Sequence, residues 1–284
     1  MHIKKIKINN YRNYNEAEIS FHEKMNILYG DNAQGKTNIL ESIYICATTK
    51  SHQGSKDKEI IKMGCDEAHV KMYIEKEGLE HYIDLHLKKN KPKGIAVNGI
   101  PIKRSAELMG IINIVLFSPE DLNIIKNGPS ERRRFIDMEL CQLSRIYLDN
   151  LYRYSKVLNQ RNHLLKQISY NESLKETLSV WDEQLIKYGT EIIKERKEFI
   201  EQINNISADI HRKLTGEKEV LKIQYEPDVK EEEFADKLYK NYNRDIYYQI
   251  THTGPHRDDI KFIANDMDLR TYGSQGQKRT AALS

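Results

Sequence analysis

The eight residues Gly30-Asp31-Asn32-Ala33-Gln34-Gly35-Lys36-Thr37 decide the fold class of this 284-residue chain. They match the pattern Gly-x-x-x-x-Gly-Lys-Ser/Thr at every fixed position. The apolar segment Met25–Tyr29 before them predicts a buried strand, and a helical pattern begins at Lys36. Glycines let backbone N–H groups converge on phosphate oxygens, and the helix N-terminus adds its positive dipole end. The sequence therefore predicts a phosphate-binding loop at residues 30–37.

Two side chains of this loop have separate predicted roles. Lys36 is expected to extend to the β- and γ-phosphates of a nucleoside triphosphate, and the Thr37 hydroxyl is expected to bind Mg²⁺. The backbone of the other loop residues supplies the N–H groups, and these residues are Gly30, Asp31, Asn32, Ala33, Gln34 and Gly35. The motif predicts that the chain binds a triphosphate, but not how its energy is used.

The segments on either side of the loop predict an α/β body that carries a helical insertion. The first third of the chain contains mainly strand patterns, and the strongly apolar Ile111–Phe117 predicts a fully buried central strand. From Ser130 to about Leu214 there is almost no Gly or Pro, which predicts two long helices broken near Tyr170-Asn171. We therefore expect an α/β nucleotide-binding lobe at residues 1–127, and a helical lobe with a following mixed segment at residues 128–284.

The composition favours a polar cytoplasmic protein. The chain has 45 Lys and Arg against 42 Asp and Glu, which gives a net charge of only +3, so any basic surface must be local. Its mean hydropathy is −0.71, and its apolar stretches are far shorter than the ~20 residues of a membrane span. The N-terminus has no signal-peptide pattern. The three cysteines are far apart, so we expect neither a disulfide scaffold nor a zinc finger.

A second glycine-containing turn lies near the end of the sequence. Residues 273–280, Gly-Ser-Gln-Gly-Gln-Lys-Arg-Thr, precede an apparent helix and resemble the signature motif of ABC-type ATPases. In those proteins this turn contacts the γ-phosphate that the other subunit holds. An ordinary capped helix is the simpler interpretation of this segment taken alone. Because a phosphate loop lies upstream, we instead interpret this turn as a second contact with the nucleotide.

Six segments together resemble the RecF family of bacterial recombination-mediator ATPases, which are related to SMC ATPase heads. They occur in the family's order from end to end of the chain. They are Asn10–Tyr14, the phosphate loop, Leu116–Leu122, Glu131–Asp137, Gly254–Asp259 and Ser274–Gln277. The resemblance implies the fold of an ABC-type ATPase head, which is an α/β P-loop NTPase with a helical second lobe.

The resemblance also implies roles for residues outside the phosphate loop. Arg12 and Asn13 are expected at the nucleotide edge of the first sheet. Ser274, Gly276 and Gln277 are expected to bind the ATP that the other protomer of a dimer holds. In the family, the Walker B strand with its catalytic acidic residues follows the signature, and this sequence stops before it. The full-length family has weak DNA-stimulated ATPase activity, and we expect this chain alone to lack that competence.

The function that the resemblance implies is ATP-dependent DNA binding in DNA repair and replication, including recombinational gap repair and the SOS response. Its cofactors are ATP and Mg²⁺. An ATP-dependent homodimer would clamp single-stranded, gapped or duplex DNA and help to load recombinase with RecO and RecR. Two alternatives stay open. One is a P-loop kinase or GTPase acting on a small molecule or protein, although no Asn-Lys-x-Asp guanine motif occurs. The other is a DNA- or partner-binding module that binds ATP without turnover.

Two basic segments are candidate DNA contacts. The run Arg132, Arg133 and Arg134 predicts either contact with DNA phosphates or a solvated helix face with acidic neighbours. In the turn at residues 88–93, Lys89 and Lys91 are candidate phosphate contacts, although a solvated hairpin tip is the favoured interpretation.

One loop contains residue types that bind metals. It includes His252, His256, Asp258 and Asp259. Their spacing fits no standard helix or zinc-ribbon site, so we do not expect a metal ion there.

Overall fold

The computed structural model describes all residues, Met1–Ser284, and divides into two compact units. The first unit is Met1–Leu116 and the second is Phe117–Ser284. The lobe boundary that we predicted between residues 127 and 128 falls inside the second unit. The first unit contains the larger sheet, and the second contains the long helices.

A six-stranded antiparallel sheet forms the frame of the first unit, in the order β2-β1-β3-β4-β5-β6. Its strands are β1 (His2–Tyr11), β2 (Tyr14–Ser20), β3 (Glu67–Lys76), β4 (Leu79–Lys88), β5 (Gly94–Val97) and β6 (Ile100–Pro101). The strand patterns in these parts of the sequence are confirmed. Short turns join consecutive strands, except that the phosphate loop and two helices lie between β2 and β3, which both pair with β1.

Those two helices are α1 (Lys36–Thr48) and the short α2 (Asp57–Ile60). Alternation along β3 turns Ala68, Val70 and Met72 to the buried face, where none of them is exposed to water. This face packs with the apolar side of α1, which includes Ile39 and Ile43. Each such aliphatic side chain stabilises the fold by roughly 1.5–3 kcal/mol when it is fully buried. The packing fixes the helix that begins at the phosphate loop.

Two predicted strands are absent from the structure. Met25–Tyr29 has irregular backbone, and Met25, Ile27 and Tyr29 are 76%, 74% and 90% exposed. Ile111–Phe117 forms only an isolated bridge at Ile112, and Val115 is 88% exposed. Both predictions of a buried strand are therefore wrong for this structure. A buried strand needs hydrogen-bonded neighbours on both sides, and no strand pairs with either segment.

The second unit combines helices with a small sheet. Its helices are α3 (Asn123–Lys126), α4 (Pro129–Leu143), α5 (Arg145–Ile168), α6 (Leu178–Leu214), α7 (Phe234–Lys240), α8 (Tyr242–Tyr248), α9 (Leu269–Tyr272) and α10 (Gln275–Leu283). The sheet has the antiparallel order β7 (Leu221–Glu226), β8 (Asp259–Ala264), β9 (Met267–Asp268). The predicted break near Tyr170-Asn171 is present between α5 and α6, but the first predicted helix is divided at Ser144 into α4 and α5, because Ser144 has an extended backbone and caps the start of α5. None of the helices has both the length and the apolar character that crossing a membrane requires.

Buried ion pairs join the long helices to the loop before β8. Arg161 of α5 is fully buried and binds Asp182 at 2.6 Å and Asp245 at 2.7 Å. Arg196 of α6 is 2% exposed and binds Asp258 at 2.8 Å. Burying such charges costs several kcal/mol per ion unless partners satisfy them. These contacts fix the relative positions of α5, α6 and the loop.

We expect Gly189→Ala in α6 to destabilise the second unit. A Cβ at this position would collide with the Phe234 ring and would lie 3.0 Å from Tyr154 Cε2. Overpacking of this kind costs about 1–3 kcal/mol, whereas the same change in an open helix stabilises by about 1 kcal/mol. Urea unfolding followed by circular dichroism measures the difference. Gly94→Ala is the control, because its Cβ would make only ordinary contacts with His86, 3.7 Å from its Cβ and 4.0 Å from its carbonyl oxygen. A stabilised Gly189→Ala protein would contradict the packing described here.

Candidate functional site

The phosphate loop has the backbone conformation that its glycines predict. Gly30 has a φ of 135° and Gly35 a φ of 96°, both in the region that favours glycine. A Cβ on Gly35 would lie 2.7 Å from the Asn13 amide and 2.8 Å from the Tyr14 hydroxyl. Position 35 therefore requires glycine for its φ and also for the close approach of the turn between β1 and β2.

That turn supports the loop from outside. The Asn13 amide nitrogen and the Tyr14 hydroxyl each donate to the Gln34 carbonyl, at 3.4 Å. The Asn38 side chain in the first turn of α1 donates to Asn13 Oδ1 at 2.8 Å. The structure thus places Asn13 against both the loop and the helix that follows it, at the edge where the resemblance expects it.

The charged end of Lys36 lies across its own loop. Its Nζ donates to the carbonyls of Gly30 at 2.8 Å and Asp31 at 2.5 Å. The N-cap residue of α1 is Gly35, and no side chain caps this helix end. Thr37 is exposed beside it. An ammonium group, uncapped helix amides and an exposed hydroxyl are the donor set that a triphosphate with Mg²⁺ requires, so these residues fit that ligand.

Arg12 is held by a buried carboxylate of α1. Glu41 has no exposure to water, and it accepts from Arg12 Nε at 2.7 Å and from Arg12 Nη2 at 2.6 Å. Ser51 Oγ donates to it at 2.5 Å and the Tyr11 hydroxyl at 3.2 Å. Burial alone would raise the pKa of Glu41, but the hydrogen bonds from Arg12 and Ser51 outweigh burial and hold the pKa below its usual value. The carboxylate is therefore ionised and fully paired.

Sequence reasoning did not find Glu41. The helical pattern gives no signal for it, because a residue two positions from both Ile39 and Ile43 is expected on the opposite, polar face of the helix. Glu41 is buried because other elements of the first unit cover that face as well.

An open groove of about 690 Å³ adjoins Arg12 and Asn13. Its other lining residues are mostly polar and basic, and they include Asn38, Lys58, Lys62 and Lys89. Lys89 pairs with Asp66 at 3.3 Å, whereas Lys91 is exposed at the turn. Of the two lysines predicted to contact DNA, Lys89 thus lies with the residues of the nucleotide edge.

The second glycine-containing turn forms a capped helix start. Ser274 Oγ accepts from the Gln277 amide at 3.1 Å, and Gln277 Oε1 accepts from the Ser274 amide at 2.9 Å. Gln277 Nε2 also donates to Glu219 at 2.9 Å. Ser274 and Gly276 are exposed at the start of α10. The capped helix of the simpler interpretation is therefore present, and its capping leaves Gly276 open to a ligand.

The arginine run at the start of α4 is divided between the interior and the surface. Arg132 is 2% exposed, and it binds Asp259 at 2.5 and 3.0 Å and the Asn127 carbonyl at 2.7 Å. The prediction that Arg132 contacts DNA is wrong, because its guanidinium is buried and paired within the fold. Arg133 is half-buried and donates to the Asp258 carbonyl at 2.7 Å. Only Arg134 is exposed.

The loop with His252, His256, Asp258 and Asp259 does not bring these side chains together as ligands. His252 Nδ1 lies 2.9 Å from Asp245, and His256 Nδ1 lies 2.7 Å from the Tyr154 hydroxyl. The two aspartates pair with buried arginines, as described above. Each of these four side chains therefore has its own partner within the protein.

Known proteins resemble the chain over its whole length. Residues 1–278 match the AAA ATPase domain family. The chain is 61% identical over 284 residues to the DNA replication and repair protein RecF of Lachnoclostridium phytofermentans, which covers 100% of this chain and 79% of that protein. It is 60% identical over 286 residues to RecF of Lachnospira eligens, with 100% of this chain and 79% of that protein covered.

Solved structures also resemble the chain over nearly its whole length. The structure of the recombination mediator protein RecF with ATP, in the RecFOR pathway, superposes with a TM-score of 0.93 at 36% identity. That match covers 99% of this chain and 79% of the other. The Smc head domain of Pyrococcus furiosus, bound to the C-terminal domain of ScpA, matches with a TM-score of 0.51 at 20% identity over 99% of this chain and 77% of the other, which shows a shared fold alone. The predicted class, an α/β P-loop ATPase head, is confirmed.

We expect Glu41→Gln to destabilise the first unit by about 3 kcal/mol, since one carboxylate oxygen that faces Arg12 becomes an amide donor. Urea unfolding at neutral pH measures the effect. Glu18→Gln is the matched control, because Glu18 pairs with Lys5 and Lys7 on the half-exposed surface of β1 and β2 and its loss should cost far less. Equal losses in the two variants would contradict the central role of Glu41.

We expect the second unit to lose stability as the pH falls from 6.5 to about 4. Burial lowers the pKa of His256 to about 4, so the unfolded chain binds a proton over this range that the folded chain does not. His256 therefore lowers the free energy of unfolding only below pH 6.5, and the loss reaches roughly 2–3 kcal/mol towards pH 4. Unfolding free energies at several pH values measure the slope. His256→Gln should flatten it, whereas the exposed control His22→Gln should not; an unchanged slope in His256→Gln would refute this assignment.

Proposed function

Because the chain belongs to the RecF family of DNA replication and repair proteins, we propose that it binds ATP in the phosphate loop and uses ATP to close two copies on DNA. The observation that carries this proposal is the loop at residues 30–37. Its glycine conformations, its uncapped helix and its lysine fit a triphosphate, in a chain that matches RecF proteins from end to end. Membership of this family argues against the kinase or GTPase alternative.

The loop residues would each have a separate role in holding ATP. The amides at the start of α1 face the phosphates, and Lys36 exchanges its bonds to the Gly30 and Asp31 carbonyls for charge-assisted bonds to phosphate oxygens. Thr37 binds Mg²⁺, which neutralises part of the phosphate charge. Asn13 keeps the loop backbone in place through Gln34, and Arg12 is fixed by Glu41 at the same edge.

The contact in trans would be made by the start of α10. The capping box consumes the Gln277 amide, and it leaves the amides of Gln275 and Gly276 without a side-chain acceptor. Amides at a helix N-terminus favour an anion, and Gly276 presents no Cβ to hinder it. Ser274, Gly276 and Gln277 of one protomer would thus contact the γ-phosphate that the other holds. This contact makes dimerisation depend on ATP rather than on a diphosphate.

DNA would bind to the closed dimer through phosphate contacts. Arg134 and Lys91 are the exposed members of the predicted basic segments, and exposed cations are the groups that can displace counterions from DNA. We propose cytoplasmic gap repair with RecO and RecR as the setting, as in the pathway that the RecF structure with ATP represents. A module that binds ATP without turnover is compatible with the same contacts.

We expect ATP to convert the wild-type chain to dimers and to strengthen its binding to a labelled oligonucleotide. Lys36→Ala should abolish nucleotide binding and both effects, because the phosphates lose their cation. Ser274→Arg should bind a fluorescent ATP analogue normally but stay monomeric, since the long side chain blocks the contact in trans. Sedimentation velocity and fluorescence anisotropy measure these properties.

Ser179→Arg is the matched control, because it places the same side chain at an exposed position near the start of α6. It should dimerise like the wild type. Normal ATP-dependent dimers of Ser274→Arg would refute the contact in trans, and nucleotide binding by Lys36→Ala would refute the assignment of the loop.

A further inference from the structure

The outer face of the first sheet carries a cluster of nitrogen and oxygen donors. His69 of β3 lies directly opposite His86 of β4, and Glu67 lies two residues from His69 on the same face of β3. One potential ligand atom from each of the three residues lies within 4.8 Å of the other two. We propose that Glu67, His69 and His86, here called the sheet cluster, bind a divalent transition-metal ion of the zinc type.

The spacing of these side chains is close to that of a tetrahedral site. The imidazole rings of His69 and His86 are stacked, with centroids 3.7 Å apart and planes 26° from parallel. His86 Nε2 lies 3.1 Å from Glu67 Oε2. Ligand atoms about 2.0–2.1 Å from a tetrahedral zinc ion are roughly 3.3 Å from one another. The two imidazole rings would have to turn out of their stacked arrangement so that both nitrogen lone pairs point at one ion, and such rotations of side chains on two paired strands need no change in the backbone.

The chemistry of the donors selects the ion. Imidazole nitrogen suits Zn²⁺, Ni²⁺ and Cu²⁺, whereas Mg²⁺ and Ca²⁺ prefer oxygen ligands. The sheet cluster would thus prefer a different ion from the Mg²⁺ that accompanies a nucleotide.

One neighbouring cation competes with the metal ion. Lys88 lies opposite Glu67 in the ladder, and its Nζ is 3.3 Å from Glu67 Oε2. Binding of the ion would require this ammonium group to move away, which its partly exposed side chain permits. Three protein donors leave one tetrahedral position for water or for a side chain of another protein. The bound ion would join β3 to β4 at the end of the sheet where Glu67 and Lys88 pair.

Calorimetric titration of the chelator-treated full chain with Zn²⁺ alone, without nucleotide, tests the proposal. We expect one equivalent to bind, and His69→Ala and His86→Ala each to weaken binding by at least about tenfold, because each removes a ligand. His81→Ala is the matched control on β4, since His81 lies on the other face of the strand and contacts Asn98. Circular dichroism establishes that each variant is folded. Unchanged zinc binding in His69→Ala and His86→Ala, or no binding by the wild type, would overturn the proposal.

Lys88→Ala provides a test in the opposite direction. Removal of the competing ammonium group should strengthen Zn²⁺ binding, and Zn²⁺ should raise the unfolding temperature of this variant more than that of the wild type. Weaker binding by Lys88→Ala would contradict the role of Glu67 as a ligand. Because no nucleotide or DNA is present, these results are independent of the proposed ATP-dependent function.

Discussion

The carboxylate of Glu41 has no contact with water, so its charge must be balanced from within the first unit. Arg12 provides that balance with two hydrogen bonds, at the turn where β1 passes into β2. The same turn carries Asn13, which contacts the phosphate loop. One buried ion pair thus ties the helix that follows the loop to the strand edge that supports it. The position of the loop depends on this connection as much as on its own glycines.

The second unit also contains buried charges that are balanced from within, and here the buried groups that need partners are arginines. Its buried arginines, Arg132, Arg161 and Arg196, each pair with a carboxylate from another element, and these partners are Asp259, Asp182 and Asp258. Such pairs contribute little net stability against apolar packing, but they tolerate only one arrangement because a misplaced partner leaves a buried charge. They therefore specify where the loop before β8 lies against the long helices. The aspartates of that loop serve the fold in this way.

Much of the fold and the centre of the candidate site could be predicted from the sequence, because the signals are local. The loop pattern, the helix at Lys36 and the alternation in β3 and β4 each occupy a few consecutive residues. The strands expected at Met25–Tyr29 and Ile111–Phe117 were wrong because pairing depends on neighbours that an apolar run does not reveal.

The sequence also did not reveal which charges are buried. Arg132 and its partner Asp259 are 127 residues apart, so no window of sequence shows that they meet. Glu41 was missed for a similar reason, since its partner Arg12 lies in a different element. A run of charged residues shows which side chains a helix carries. The packing of other elements decides which of those side chains reach the surface.

The length of α6 has a mechanical consequence. Its 37 residues make a rod about 55 Å long. Near one end, His211 bonds Ser284 of the segment that carries α10, and Glu219 just beyond holds Gln277. At the other end, the chain reverses at the exposed Tyr170. Because the ion pairs of Arg161 and Arg196 fix α5 and the loop before β8 to this rod, the three elements would move together, and a rotation of about 5° at the α10 end would displace the far tip by roughly 5 Å.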